Sequence, residues 1–293
     1  MRDVTDAHFL HQRTGLEPVV RPPVDDPIAI VWIPRREELL VASKDGRLQT
    51  VDPLLGTRTI AEDVGECAAL AVHADRNTYA LVTRDGKWSI GQIKGEVLHS
   101  GSHGYLAGMD AFFVGDNLVT VGDGPRGRRM SVIVDGTVRG RVKLPPRVAP
   151  YERNGRLYLA RSTPAGLQRV PFGRTVKFPS SDPTQHRLKG RNGFVVGTTP
   201  SGVCLWDQDS HGSRSMRLPD LTAADVTGDG QYLGLGTRGG AVVLAHIHSL
   251  DRRVRPNLVK AFESAVTCVA FSTRGRWLAS GADGLQLWTW EEP

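Results

Sequence analysis

The stretch Ala265-Val-Thr-Cys-Val-Ala-Phe-Ser-Thr-Arg-Gly-Arg-Trp-Leu-Ala-Ser-Gly-Ala-Asp-Gly-Leu-Gln-Leu-Trp288 decides how the rest of the chain is read. Three apolar runs are separated by two polar turns, Thr273-Arg274-Gly275 and Asp283-Gly284. Short runs of Val, Leu, Phe and Trp bounded this way read as strands. Asp-Gly supplies the positive φ that a tight hairpin needs. Strand, turn, strand, turn, strand is three quarters of a small antiparallel sheet.

The same punctuation recurs upstream, at Asp45-Gly46, Asp85-Gly86, Asp123-Gly124, Ala165-Gly166, Ser201-Gly202 and Gly239-Gly240. Successive glycines, counted through to Gly284, are 40, 38, 42, 36, 38 and 44 residues apart. A β-rich run precedes each, such as Leu39-Leu40-Val41-Ala42 or Tyr79-Ala80-Leu81-Val82, and another follows. One four-stranded sheet per repeat cannot bury both its faces, whereas seven stacked radially can. The expected fold is therefore all-β, a seven-bladed β-propeller filling residues 1–293 as one domain. Its blades are expected at about 28–62, 63–100, 101–143, 144–180, 181–219, 220–262 and 263–293. The last repeat runs out after its third strand. Residues 7–12, within a closing strand and linker over 1–27, are expected to complete it. On this reading, deleting residues 1–13 abolishes cooperative unfolding or leaves the protein insoluble.

The segment 265–288 resembles a WD40 repeat almost position by position, and Trp206-Asp207 is the literal dipeptide in the fifth repeat. The resemblance covers nearly the whole chain and is weakest in repeats four and five. It implies a stabilising network in which Ser280, Asp283 and Trp288 take three of four roles. The fourth, a histidine, is missing from repeat seven, while His103 in Gly101-Ser102-His103 is placed to serve repeat three. WD40 propellers closed by strands from both chain ends are commonly interaction platforms, so the resemblance also implies binding surfaces built from loops.

Composition narrows the function classes. Glycine at 33 of 293 residues, with 18 prolines, leaves little room for long helices. No run of 18 apolar residues is present, so no helix is expected to span a membrane. Residues 1–30 show no apolar core of a signal peptide. The three cysteines, Cys67, Cys204 and Cys268, lie in apolar runs and are expected as reduced, buried thiols in a cytoplasmic protein. A net charge of +6 carried by 30 Arg and 7 Lys suits acidic partners or nucleic acid without demanding either. The same bias fits a GC-rich bacterial genome.

Aligning repeat three on repeat seven leaves five extra residues, Pro125 to Arg129, between two strands. Arg126, Arg128 and Arg129 on such a loop either grip carboxylates or phosphates bidentately or are a solvated insertion. They are the candidate partner-binding residues. Two further basic runs, Arg252-Arg253-Val254-Arg255 and Arg139, Arg141, Lys143, Arg147, fall elsewhere, so no continuous nucleic-acid track is implied. The latter alternates along a strand and reads as one side of it. His246 with His248, and His99 with His103, lack a third ligand in a recognisable spacing, so no metal is expected. Asp110 and Asp225 are the acids of the expected inner strands. No nucleophile elbow or phosphate loop is present. The expectation is a non-catalytic scaffold, or an adaptor or sensor subunit, for protein partners, without cofactor, catalytic residues or small-molecule ligand. A nucleic-acid-associated subunit is the alternative, and a metal-dependent propeller hydrolase a third reading.

Overall fold

Strands form here because apolar runs of about six residues are cut by turn residues that cannot continue them. The computed structural model describes residues 16–74, 76–104, 107–145, 148–153, 156–163, 166–170, 175–176, 187–191, 194–199, 202–207, 213–247 and 257–290. After β1 (Leu16–Val20) comes a first sheet of β2 (Pro27–Ile33), β3 (Glu38–Ser43), β4 (Leu48–Asp52) and β5 (Gly56–Ala61). The second holds β6 (Cys67–Val72), β7 (Thr78–Thr83), β8 (Lys87–Gln92) and β9 (Val97–Ser102). The third holds β10 (Ala107–Val114), β11 (Asn117–Gly124), β12 (Gly127–Val134) and β13 (Thr137–Lys143). The fourth holds β14 (Val148–Arg153), β15 (Arg156–Thr163), β16 (Gly166–Val170) and β17 (Thr175–Val176). The fifth holds β18 (Arg187–Arg191), β19 (Phe194–Thr199), β20 (Gly202–Asp207) and β21 (Ser213–Arg217). The sixth holds β22 (Leu221–Val226), β23 (Tyr232–Thr237), β24 (Ala241–His246) and β25 (Asn257–Lys260). The last contains β26 (Cys268–Phe271), β27 (Leu278–Gly281) and β28 (Leu285–Trp290), with β1 as its fourth member. Among the described residues these are seven four-stranded antiparallel sheets, without an α-helix.

The second strand of a sheet is covered on both faces, which is why it reads as an unbroken apolar run. Every residue of β7 and β23 is buried. Core clusters alternate between neighbouring sheets: Leu40, Leu48, Tyr79 and Leu81 fill the gap between the first and second. Val82, Trp88, Leu118 and Ile133 do the same between the second and third. The first strands lie side by side, β2 against β6, β6 against β10, β10 against β14 and β14 against β18. The contacts continue from β19 to β22 and from β22 to β26, and β26 returns to β2.

Polar bonds cross several of these seams, and three of them tie the last sheet to its neighbours. The Phe271 N–H donates to the buried Asp225 carboxylate at 2.8 Å. The Trp32 indole N–H donates to the Ala270 carbonyl at 2.9 Å, and the Thr267 hydroxyl to the Pro27 carbonyl at 2.6 Å. Each removes a polar group from the penalty of unpaired burial.

The outer strand of the last sheet corrects the expectation from the sequence. It is Leu16–Val20, paired from Leu16 opposite Trp290 to Val20 opposite Leu287. Residues 7–12 lie outside the described residues. Pro18 can sit in this strand because it occupies a sheet edge, where a missing N–H costs no ladder bond.

Candidate functional site

Each sheet has two ends. One carries the turns between its second and third strands, and the other the turns between first and second and between third and fourth. Arg126, Arg128 and Arg129 lie at the first of these ends, and their geometry differs from a five-residue loop. β11 and β12 extend toward each other until Gly124 pairs with Gly127, leaving Pro125-Arg126 as a two-residue turn. Gly127 makes this tight turn available with φ +95°. Arg126 is at the exposed tip, whereas Arg128 and Arg129 are consecutive strand residues and so project to opposite faces. The Arg128 guanidinium donates to Asp123 at 3.2 Å. The three arginines therefore do not converge on one anion.

Charges at this end are matched locally. Asp45 pairs with Arg47 and Asp85 with Lys87 at 2.8 Å, while Arg21 stands off Asp283 at 3.9 Å. Lys87, then the Thr83 hydroxyl, hold the exposed Asp85 carboxyl down at about 2. A cation already beside a carboxylate offers less to an external anion.

The network implied by the WD40 resemblance is partly formed. The Trp288 indole N–H donates to the Ser280 hydroxyl at 2.8 Å, both side chains buried. Asp283 is instead exposed and turned to Arg21. Trp206 and Asp207 end β20, and their side chains lie outside the described residues. His103 does serve the third sheet: its Nε2 lies 2.8 Å from the Thr120 hydroxyl. Burial first, and the Arg141 charge second, push the His103 imidazole below its ordinary pKa, keeping it neutral at pH 7.

The basic strand β13 does not present one regular stripe. A bulge between Val132 and Ile133 leaves Arg139 outside the paired register, while Arg141 faces Ser131 and Lys143 faces Arg129. Arg147, His248 and the run from Arg252 to Arg255 lie outside the described residues. Asp225 is engaged in the seam to Phe271, and Asp110 accepts the Ala111 N–H at 2.9 Å. Among the described residues, no group of three or more His, Cys, Asp or Glu is placed to hold a metal.

A concave feature lies at the other end, away from Arg126, Arg128 and Arg129. Glu37, Arg274, Gly275, Arg276, Trp277, Thr289 and Trp290 line a groove of about 490 Å³. Arg274 and Arg276 ride on the β26–β27 turn. Its Ser272 hydroxyl accepts the N–H groups of Arg276 and Trp277, both at 3.1 Å. Trp290 is fixed by Phe271, edge-on at 5.5 Å, and by Tyr232 at 5.7 Å. Glu37 approaches from the first sheet, 3.8 Å from Arg274. On this same end Leu54 and Leu55, at the β4–β5 turn, are each 88% exposed. The Asp52 carboxylate accepts both their N–H groups, at 2.8 and 3.0 Å, so the leucines stand on a preorganised turn. Their sequence signal was two adjacent leucines inside a Pro-Gly turn, where polar residues usually stand.

Comparison with solved structures finds the WD40 β-propeller domain of Doa1, similar at a TM-score of 0.73 and 10% identity, over 95% of this chain and 98% of that one. No family model matches the chain. No curated protein matches it either. At this identity the likeness speaks for architecture alone, and the chain has a WD40-like β-propeller fold.

Proposed function

We propose that this chain is a non-catalytic protein-interaction scaffold or adaptor, its seven sheets forming the blades of one closed ring fastened by β1. The cyclic run of contacts between neighbouring sheets, ending with β26 against β2, supports the ring. Leu54 and Leu55 carry the functional reading. The hairpin needs Asp52 and Gly56 for its geometry, but nothing in the sheet uses the leucines. Burying a leucine is worth roughly 1.5–3 kcal/mol, a gain that this turn leaves to a partner. The other described turns at this end carry polar tips, such as Lys94-Gly95 and Asp135-Gly136.

The test is capture of partners from the source cell's lysate by wild type and by Leu54→Ser/Leu55→Ser, with and without nuclease. The expected outcome is a protein that survives nuclease and is lost in the double variant, whose melting stays within about 0.5 kcal/mol of wild type. Arg139, Arg141 and Lys143, exposed on β13 with no carboxylate in ion-pair range among the described residues, favour nucleic acid as the second reading. A partner lost only on nuclease treatment would put that reading first, with log K falling by about 0.9 per duplex phosphate contacted as log salt rises.

No cofactor or metal enters this reading, and we place the protein in the cytoplasm. Cys67 and Cys204 are buried, Cys268 only partly so, and none of the three is in a disulfide, as suits a reducing compartment. Burial pushes Cys67 and Cys204 up to about 12. Native protein at pH 8 is therefore expected to leave Cys67 and Cys204 unlabelled by a disulfide reagent until denaturant is added. Rapid modification of either residue in the folded state would contradict the packing around them.

A further inference from the structure

We propose that the groove across the end of the last sheet takes an acidic segment of a partner protein, its carboxylates on Arg274 and Arg276 and an apolar side chain against Trp277 and Trp290. This rests on the scaffold reading and names the chemistry of its partner. The two arginines are exposed, and their turn is pinned by the Ser272 hydroxyl, so little order remains to be imposed when an anion binds. Glu37 pairs with Arg274 only as a loose ion contact. At 3.8 Å it is beyond hydrogen-bonding distance, and its buried Oε1 has no hydrogen-bond partner among the described residues. An incoming carboxylate can make the paired N–H···O bonds that Glu37 does not.

The contrast with the opposite end is chemical. There Arg128 lies 3.2 Å from Asp123 and Lys87 lies 2.8 Å from Asp85, so the cations are already engaged. Here the arginines flank aromatic walls in a concavity of about 490 Å³, within the range of roughly 300–1,000 Å³ usual for ligand sites. The net charge of +6 adds long-range attraction for an acidic partner. Nucleic acid fits less well. Trp290 is engaged by Phe271 and Tyr232 and is no open stacking platform, and Glu37 opposes a continuous phosphate chain. A peptide can space its carboxylates around that residue.

The experiment titrates the full chain with the capped peptide acetyl-Asp-Glu-Leu-Asp-Glu-amide, following the tryptophan indole N–H resonances. The expected result is saturable shifts of Trp277 and Trp290 while Trp32, Trp88 and Trp288 stay in place. Binding should weaken by about tenfold or more for Arg274→Gln/Arg276→Gln, and equally for the Asn/Gln version of the peptide. Shifts that do not saturate, or that persist unchanged with the amide peptide or the double variant, overturn the proposal. So does tighter binding of single-stranded oligothymidylate at the same tryptophans. If Arg274→Gln/Arg276→Gln still captures a protein partner that Leu54→Ser/Leu55→Ser loses, the scaffold reading survives while the groove assignment fails. If wild type captures no protein at all, the scaffold reading itself fails.

Discussion

Deleting residues 1–20 is expected to abolish the cooperative melting transition, whereas a deletion ending at residue 13 spares β1. The strand Leu16–Val20 is the outer member of the last sheet and gives β28 its second neighbour. Leu16 is 1% exposed and packs with Phe271, Leu278 and Trp288. The Gln286 amide donates to the Val20 carbonyl at 3.0 Å, adding a side-chain clasp to the ladder. Burial of Leu16 contributes roughly 1.5–3 kcal/mol and each ladder bond about 0.5–1.5 kcal/mol. Together these approach the roughly 5–15 kcal/mol by which a domain is stable at all. Leu16→Ala alone should cost about 2–4 kcal/mol and lower the melting temperature by roughly 3–7 °C. Calorimetry of the two deletions and this variant separates the contributions. If the chain lacking residues 1–20 melts like wild type, the ring is not fastened by β1.

Much of the architecture was legible because turn chemistry is local. An Asp-Gly or Gly-Gly between two apolar runs declares a hairpin wherever it stands, and second strands such as Leu39-Leu40-Val41-Ala42 and Tyr79-Ala80-Leu81-Val82 announced themselves as apolar runs. Ser280 and Trp288 were named through the WD40 resemblance, and the hairpin between them brings the two side chains together. The errors have physical causes. Residues 7–12 were preferred to Leu16–Val20, which holds Pro18, although an edge strand tolerates proline. Pro125 to Arg129 looked like an insertion because pairing between Gly124 and Gly127 is decided by the backbone freedom of Gly127. The bulge at Arg139 breaks an alternation that the letters alone suggest. The groove could not be read from spacing. Glu37 joins Arg274 across more than two hundred residues, and Thr289 and Trp290 come from the far end of another strand.

Gly240→Ala should be among the most destabilising single substitutions in the protein, although it adds one methyl group. Gly240 has φ +81°, a left-handed conformation that costs an L-residue about 1–2 kcal/mol. A Cβ there would lie 2.0 Å from the Phe262 carbonyl oxygen and 2.8 Å from that of Ser264. These are backbone atoms and cannot swing aside like a flexible side chain. The N–H groups of Ala261 and Phe262 both bond to the Gly240 carbonyl, at 3.0 and 3.1 Å, so the turn and the chain leaving the sixth sheet are locked together. Displacing that chain would pull Phe262 and Val266 out of the core they share with Phe271 and Trp288. The sum should exceed about 3 kcal/mol. Gly56→Ala isolates the conformational part, because Gly56 has φ +100° with nothing within 4 Å of its would-be Cβ. That variant should lose only about 1–2 kcal/mol. Denaturant melts of both variants measure the difference. Equal losses would mean that the chain after the sixth sheet yields freely at Phe262, and that the seam into the last sheet is looser than its packing indicates.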